Sequence, residues 1–170
     1  MKLYHGGTVT VEAPKIIRSD IGRDFGFAFY TTDIRAQAAR WALRRRQIAV
    51  RNNIPNAQAV VSVFDFDEEL ARKSFLFQDF PTVSLEWLDF VVLCRSNITI
   101  QHGFDIVTGK VANDNVGETI AYILAGIMRK EDALERLKFQ KINNQVAFCT
   151  ERAISSLTFV TSYTVEEQSK

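Results

Sequence analysis

The sequence predicts an α+β fold in a single domain. Strand-like segments are spread between amphipathic helical segments, without the regular strand–helix alternation that a parallel sheet requires. The chain of 170 residues is 46% hydrophobic and contains 13 Phe, so it can build one sizeable, Phe-rich core. We expect the domain to cover residues 1–164 and the C-terminal tail, residues 165–170, to be loose.

Three strands and one long helix are predicted before residue 67. Lys2–His5, Phe27–Thr31 and Ala59–Phe66 are rich in the aromatic and β-branched residues that favour strands. A helix is predicted from Asp33 to about Asn52, with Thr32 or Asp33 as its N-cap. Its apolar residues recur at helical spacing and therefore share one face, namely Ile34, Ala38, Trp41 and Ala42.

The middle of the chain is predicted to be less regular. A short helical turn, Asp67–Leu70, precedes Lys73–Phe80, for which the pattern predicts an irregular segment. Ser84 is an N-cap for a helix that ends near Ser96, because Glu86 lies in the first turn and apolar residues recur behind it. Phe104–Val107 is predicted to be a short strand, and 108–110 a turn.

The C-terminal third alternates helices with two strands. An apolar stripe from Thr119 to Met128 predicts a helix, and a second short helix follows to Lys138. Gln145–Cys149 and Leu157–Thr164 are predicted strands. Thr150 is the predicted cap of a short helix between them.

Two aromatic residues flank the corner between the second strand and the long helix. Tyr30 ends the strand, and Trp41 follows eleven positions later, two turns into the helix. Both rings can point into one cleft and form a slot for a flat ring. The alternative for Trp41 is a place in the core, because it lies on the apolar face of its helix.

Composition excludes several classes of protein. The net charge of +1 indicates neither a nucleic-acid nor a membrane partner. There is no signal-peptide run and no apolar stretch long enough to cross a bilayer, so we expect a cytoplasmic protein without a membrane partner. Cys94 and Cys149 lie in apolar segments and are expected to be free thiols. The His and Cys residues lack metal-ligand spacing, and no phosphate-binding P-loop or dinucleotide-binding glycine motif occurs.

Five motifs along the chain carry a resemblance. They are L-Y-H-G at Leu3–Gly6, D-F-G-x-x-F-Y-T-T at Asp24–Thr32, E-W-L-x-F at Glu86–Phe90, D-I-V-x-G-x-V-A-N-D at 105–114 and N-N-Q-x-x-F at Asn143–Phe148. With them the chain resembles the ADP-ribosyltransferase superfamily, in its diphtheria-toxin and poly-ADP-ribose-polymerase branch, and within it an uncharacterised bacterial family. The resemblance implies a split β-sheet fold, with two antiparallel sheets facing each other across a cleft that binds NAD as co-substrate.

The resemblance also implies roles for individual residues. His5 would hydrogen-bond a ribose hydroxyl of NAD, and Tyr30 and Trp41 would sandwich the nicotinamide. The wider NAD-binding set would be His5, Gly6, Gly7, Phe29, Tyr30, Thr31 and Trp41, with catalysis assigned to Gln145, Tyr30 and His5. The implied activity is mono-ADP-ribosylation of a protein or nucleic acid, by a bacterial toxin of a toxin–antitoxin or phage-defence system with a neutralising antitoxin protein.

Gln145 departs from the pattern of the superfamily, which has a Glu at this position. Gln can bind a ribose hydroxyl, but it has no negative charge to stabilise an oxocarbenium-like transition state and cannot act as a general base. A module that binds NAD, ADP-ribose or a protein partner without turnover is therefore the alternative. A missing carboxylate could come from Asp24, Asp105, Asp114 or Glu118, although each also suits a turn, cap or surface position. Gln145 itself could merely pair with backbone at a sheet edge.

The long helix carries six arginines, Arg35, Arg40, Arg44, Arg45, Arg46 and Arg51. A solvated polar face is the interpretation that we favour from the sequence. The alternative is a basic patch beside the cleft, which would attract the diphosphate of NAD or a nucleic-acid substrate.

Overall fold

The structure is a computed structural model that describes residues 1–18, 22–97, 99–111, 114–138 and 143–166. These residues form seven strands and six helices. In chain order they are β1 (Lys2–Gly7), β2 (Phe29–Thr31), α1 (Arg35–Arg51), β3 (Val60–Phe66), α2 (Glu68–Ser74), β4 (Phe77–Phe80), α3 (Leu85–Ser96), β5 (Ile106–Val111), α4 (Asp114–Leu124), α5 (Lys130–Lys138), β6 (Asn143–Phe148), α6 (Glu151–Ile154) and β7 (Leu157–Thr164). The predicted α+β class is confirmed. Of the expected loose tail, residues 167–170 lie outside the described residues.

The strands form two sheets. One has three strands in the order β1-β3-β7, and the other has four in the order β2-β6-β5-β4. Neighbouring strands are antiparallel except β4 and β5, which are parallel. The expectation of two wholly antiparallel sheets is therefore wrong for this one pair. A parallel pair needs a long crossover, and α3 provides it between β4 and β5.

Two predictions fail around β4 and β5. Phe77–Phe80, predicted to be irregular, is strand β4, and the predicted turn at 108–110 lies inside β5. Phe80 pairs with Gly109, and a Cβ atom on Gly109 would lie 2.8 Å from the Cβ of Phe80. Gly109 is therefore a site of close approach within the sheet, where the sequence suggested a turn.

Side-chain caps begin three of the helices. Ser84 accepts a hydrogen bond from the backbone N–H of Trp87 (3.1 Å), and Thr150 accepts one from Ala153 (3.3 Å), as predicted. The N-cap of α1 was predicted wrongly. Ile34 occupies that position without a side-chain cap, while the hydroxyl of Thr32 accepts the N–H of Ile34 in the turn before the helix. The third cap is Asp67, at the start of α2.

The core has three parts that separate the layers. A Phe-rich cluster, which includes Leu3, Phe29, Phe64 and Phe148, fills the space between the two sheets. The other face of the four-stranded sheet packs against α3 and the two helices after it, through Trp87 and Leu88 among others. Helix α1 covers the outer face of the three-stranded sheet with Ala38 and Ala42. The two cysteines are free thiols, and no described helix is long and apolar enough to span a membrane.

A backbone bridge joins the edges of the two sheets. Tyr4 of β1 and Thr32, just after β2, exchange two hydrogen bonds of 2.8 and 3.0 Å. This bridge holds the L-Y-H-G strand beside the end of the aromatic strand. The corner between them is where the candidate site lies.

Candidate functional site

A cavity of about 430 Å³ opens at the corner between β1, β2, β6 and α1. Its volume lies within the usual range of about 300–1,000 Å³ for small-molecule sites. The wall contains residues that are far apart in the sequence, namely His5, Gly6, Ile17, Gly22, Arg23, Asp24, Tyr30, Trp41, Arg44, Arg45, Ile48, Arg95 and Gln145. Five of the eight predicted site residues, His5, Gly6, Tyr30, Trp41 and Gln145, are therefore brought together on one surface.

His5 is held in one orientation by backbone and ring contacts. Its Nδ1 lies 2.7 Å from the carbonyl oxygen of Tyr30, and its ring stacks on Phe29 with centroids 4.5 Å apart. Because a carbonyl can only accept, Nδ1 carries the proton and Nε2 is left as an acceptor. Desolvation, opposed by the bond to Tyr30 and assisted by nearby Arg45, lowers the pKa of His5. The imidazole is thus neutral at pH 7 and suited to accept a hydroxyl hydrogen bond.

Tyr30 presents its ring to the cavity and its hydroxyl to the preceding loop. The hydroxyl donates to the carbonyl oxygen of Gly26 (2.6 Å) and accepts the N–H of Phe25 (3.3 Å). Burial, together with the charge of Asp24, raises the pKa of Tyr30 well above its usual value. The phenol therefore stays neutral and fixed, and it cannot serve as a base.

Trp41, on α1, is half-buried and lines the cavity, so it does not lie in the core. Its helix can approach β1 closely because Gly6 has no side chain. A Cβ atom at this position would collide with the backbone of Ala38. In a sequence, a glycine pair such as Gly6-Gly7 suggests a sharp turn or a close approach to a ligand. Both instead continue strand β1, and the close approach at Gly6 is to α1.

Gln145 lies beside Tyr30 on the same face of the sheet. Ala147 is directly opposite Tyr30, so Gln145, two residues earlier in β6, is its diagonal neighbour. β6 lies between β2 and β5, but its pairing with β2 ends at Val146, and Gln145 is paired with Gly109 of β5. Gln145 is only 7% exposed, and none of the described residues hydrogen-bonds its side-chain amide. A buried amide on a cavity wall without a protein partner is poised to bond a ligand.

The remaining predicted site residues do not line the cavity. Phe29 and Thr31 are buried behind it, where Phe29 supports the ring of His5 and the Thr31 hydroxyl donates to the carbonyl oxygen of Val146 (2.9 Å). Gly7 ends β1 beside the His5 ring. We therefore assign these three residues to the support of the wall.

One protein-family model matches residues 1–159 of the chain, and it is described as "Protein of unknown function (DUF3990)". The chain belongs to the DUF3990 family. No curated protein and no solved structure matches it. The family description names no activity, so the chemistry of the DUF3990 site has to be argued from its geometry.

The DUF3990 cavity is strongly cationic. Among the described residues, four arginines, Arg23, Arg44, Arg45 and Arg95, and one carboxylate, Asp24, line it. The guanidinium of Arg23 lies 6.0 Å from the centre of the Tyr30 ring. Desolvation and repulsion from Arg23 and Arg44 lower the pKa of Arg45. Cations that repel each other around one cavity favour an anionic ligand.

Asp24 is one of the four carboxylates that the sequence offered in place of a catalytic Glu, but the sequence did not reveal its arginine partner. Asp24 is 6% exposed, and its Oδ1 accepts a hydrogen bond from Nε of Arg95 (2.6 Å). The same oxygen forms an ion pair with Nη2 of Arg95 (2.5 Å). No described residue bonds to its Oδ2. Of the four carboxylates proposed to replace a catalytic Glu, Asp24 lies on the cavity wall.

The other three carboxylates do not line the cavity. Asp105 binds Arg152, and Glu118 binds Tyr122 and Arg136. The side chain of Asp114 lies outside the described residues. Within the described part of the chain, no group of His, Cys, Asp and Glu could hold a metal ion.

The fully buried Gln37 fixes the spacing between α1 and β6, which both contribute residues to the cavity. The Gln37 side chain donates to the carbonyl oxygen of Asn144 (2.8 Å) and accepts its N–H (3.1 Å), as a neighbouring strand would. This pair of bonds ties α1 to β6 one residue before Gln145. A polar residue near the apolar face of a helix was the only signal for Gln37, and its partner is 107 positions away.

Proposed function

We propose that this chain is a mono-ADP-ribosyltransferase that takes NAD as co-substrate. The observation that carries the proposal is the buried amide of Gln145, which has no hydrogen-bond partner among the described residues and lies next to Tyr30 in the cavity that His5 and Trp41 also line. The motifs that resemble the superfamily supply His5, Tyr30 and Gln145, and the eleven-residue spacing from Tyr30 supplies Trp41. The cavity brings these four residues together. The two-sheet architecture supports the finer proposal that the fold is the split-sheet fold of that superfamily.

The proposed binding mode follows from the polarity of the wall. The nicotinamide ring lies in the slot between Tyr30 and Trp41, where stacking holds a flat ring and excludes water. The acceptor nitrogen of His5 takes a ribose hydroxyl, and the amide of Gln145 takes another. The diphosphate carries two negative charges and meets the arginines at the cavity.

The proposed reaction breaks the bond between C1″ of the ribose and the nicotinamide nitrogen. Nicotinamide leaves with the electron pair, which neutralises its ring, while positive charge develops on the ribose. A nucleophile of the acceptor then forms a bond to C1″ and loses its proton to solvent. Gln145 can orient the ribose, but without a charge it stabilises the transition state less than a Glu would. Fixed charges in a site are worth roughly a hundredfold in rate.

The same residue favours a second candidate function, a module that binds NAD or ADP-ribose without turnover. The resemblance further suggests that the protein is a toxin with an antitoxin partner. Growth arrest on expression, relieved in a catalytically inactive variant, is the observation that would support the toxin role.

The decisive experiment is nicotinamide release from NAD by the purified protein, with and without cell lysate, beside calorimetric binding of NAD. We expect Gln145→Ala and Trp41→Ala to lose release. We expect Gln145→Glu, which adds the missing charge with little change in shape, to raise the rate by roughly tenfold to a hundredfold. Gln101→Glu is the matched control, because it makes the same charge change at an exposed position and should leave the rate unchanged.

The outcomes separate the two candidates. Binding of NAD without release, in both wild type and Gln145→Glu, would establish the binding module instead of the transferase. Absence of both binding and release at saturating NAD would overturn both.

A further inference from the structure

The positive charge of this protein is concentrated in α1. The helix has six arginines, no lysine and no acidic residue, and therefore a formal charge of +6. The whole chain has a net charge of +1, so everything outside α1 carries −5. A helix with this much positive charge creates a local electrostatic field that attracts anions. The near-neutral net charge of the whole chain does not show this field.

Three of these arginines follow one side of the helix past the cavity. Arg40, Arg44 and Arg51 are separated by four and seven residues, which places them within about 40° of one another at 100° per residue. All three are exposed, and Arg44 also lines the cavity. At about 1.5 Å per residue the row is about 16 Å long. It therefore runs beyond the cavity on both sides of Arg44.

The cavity does not use the whole row. A bound diphosphate has two negative charges, and Arg23, Arg44, Arg45 and Arg95 already surround it. Arg40 and Arg51 are exposed and do not line the cavity, so the positive row extends along α1 past the cavity wall. All its members are Arg, whose planar fork binds phosphate oxygens in pairs.

We infer that the acceptor is a single-stranded nucleic acid whose phosphates lie along Arg40, Arg44 and Arg51. This inference rests on the proposed function. A nucleophilic oxygen or nitrogen of one nucleotide enters the cavity mouth and bonds to C1″ as the bond to nicotinamide breaks, and its proton passes to solvent. A nucleotide inside a duplex cannot reach a recessed site without leaving the stack, which favours a single strand.

The test measures binding of fluorescent single-stranded RNA and DNA oligonucleotides of the same sequence, without NAD, across a series of salt concentrations. Each phosphate contact adds roughly −0.7 to the slope of log K against log salt. We expect the double variant Arg40→Gln/Arg51→Gln to make the slope about 1.4 less steep and to weaken binding roughly tenfold or more. The double control Lys73→Gln/Arg129→Gln removes the same charge from exposed positions outside α1 and should bind like wild type.

Several results would overturn the inference. These are no binding of either oligonucleotide at low salt, an equal loss in the control, or equally tight binding of poly-glutamate, which would indicate an acidic protein partner. Labelled ADP-ribose transferred to the bound oligonucleotide supports the acceptor role, and nicotinamide release without such transfer refutes it. Because binding is measured without NAD, it decides whether α1 holds a strand even if nicotinamide release, and with it the proposed function, fails.

Discussion

Two aspartates of this protein are buried and paired with arginine, yet their surroundings differ. Asp105, before β5, is 3% exposed and accepts hydrogen bonds at both oxygens. Oδ1 accepts from the Thr150 hydroxyl (2.7 Å) and Nε of Arg152 (2.8 Å), and Oδ2 from the N–H of Leu76 (3.0 Å) and Nη2 of Arg152. These bonds join α6, β5 and the segment before β4.

Asp24, on the cavity wall, is almost as buried but only half satisfied. Both contacts from Arg95 go to Oδ1, and no described residue bonds to Oδ2. Both aspartates are buried and have an arginine partner, so neither property distinguishes a structural aspartate from a ligand-binding one. The oxygen that no described residue bonds does separate them, because a buried acceptor needs a hydrogen-bond partner and a ligand in the cavity can provide one. We interpret Asp105 as a clamp of the fold and Asp24 as a ligand-binding group.

The largest expected effect is the loss of the clamp. Asp105→Ala leaves the N–H of Leu76 and the Thr150 hydroxyl unpaired, and takes the counter-ion from Arg152. We expect the free energy of unfolding to fall by about 3 kcal/mol, which is the lower end of the range for a broken buried ion pair. The lower end applies because the Arg152 side chain is 60% exposed. Urea unfolding measures this change. A decrease of less than about 1 kcal/mol in the free energy of unfolding would show that the contacts of Asp105 contribute little to stability.

Acid should remove the same contribution from the wild type. The hydrogen bonds from Arg152 hold the pKa of Asp105 well below its usual range, against the effect of desolvation. A carboxyl with a lowered folded-state pKa stabilises the protein above its unfolded pKa and loses that contribution as the pH falls through the folded value. The difference in unfolding free energy between wild type and Asp105→Ala should therefore narrow between about pH 5 and about pH 2. A constant difference would contradict the assignment.

The sequence predicted elements whose signals are local. The aromatic strand before α1, the long helix and the caps at Ser84 and Thr150 each depend on neighbouring residues, and all are present, although the start of α1 lies one to two residues later than predicted. β4 was missed because its partner is β5, and the register of Phe80 with Gly109 depends on a contact that neither segment specifies alone. Thr108-Gly109-Lys110 has the composition of a turn, and only the closeness of Phe80 makes it a strand.

The site divides in the same way. His5, Tyr30, Trp41 and Gln145 could be predicted because the motif spacing of a resembling superfamily brings them together. Gln37 and Arg95 could not, since each acts through a partner 107 or 71 positions away. The role of Asp24 also depends on that distant partner, because the sequence offered it only as one of four possible carboxylates.

The smallest expected effect on stability, and the sharpest test of the comparison, comes from Asp24→Asn. Asn keeps the shape of Asp and still accepts a hydrogen bond from Arg95, whose side chain is 26% exposed. The free energy of unfolding should therefore fall by only about 1 kcal/mol. Binding should suffer more, because a ligand hydroxyl loses a charged acceptor, and NAD affinity or kcat/KM should fall roughly tenfold or more. Unfolding and nicotinamide release measured on the same preparation distinguish the two roles. If Asp24→Asn lost as much stability as Asp105→Ala and kept full NAD affinity, both aspartates would be clamps, and the free Oδ2 would have no part in ligand binding.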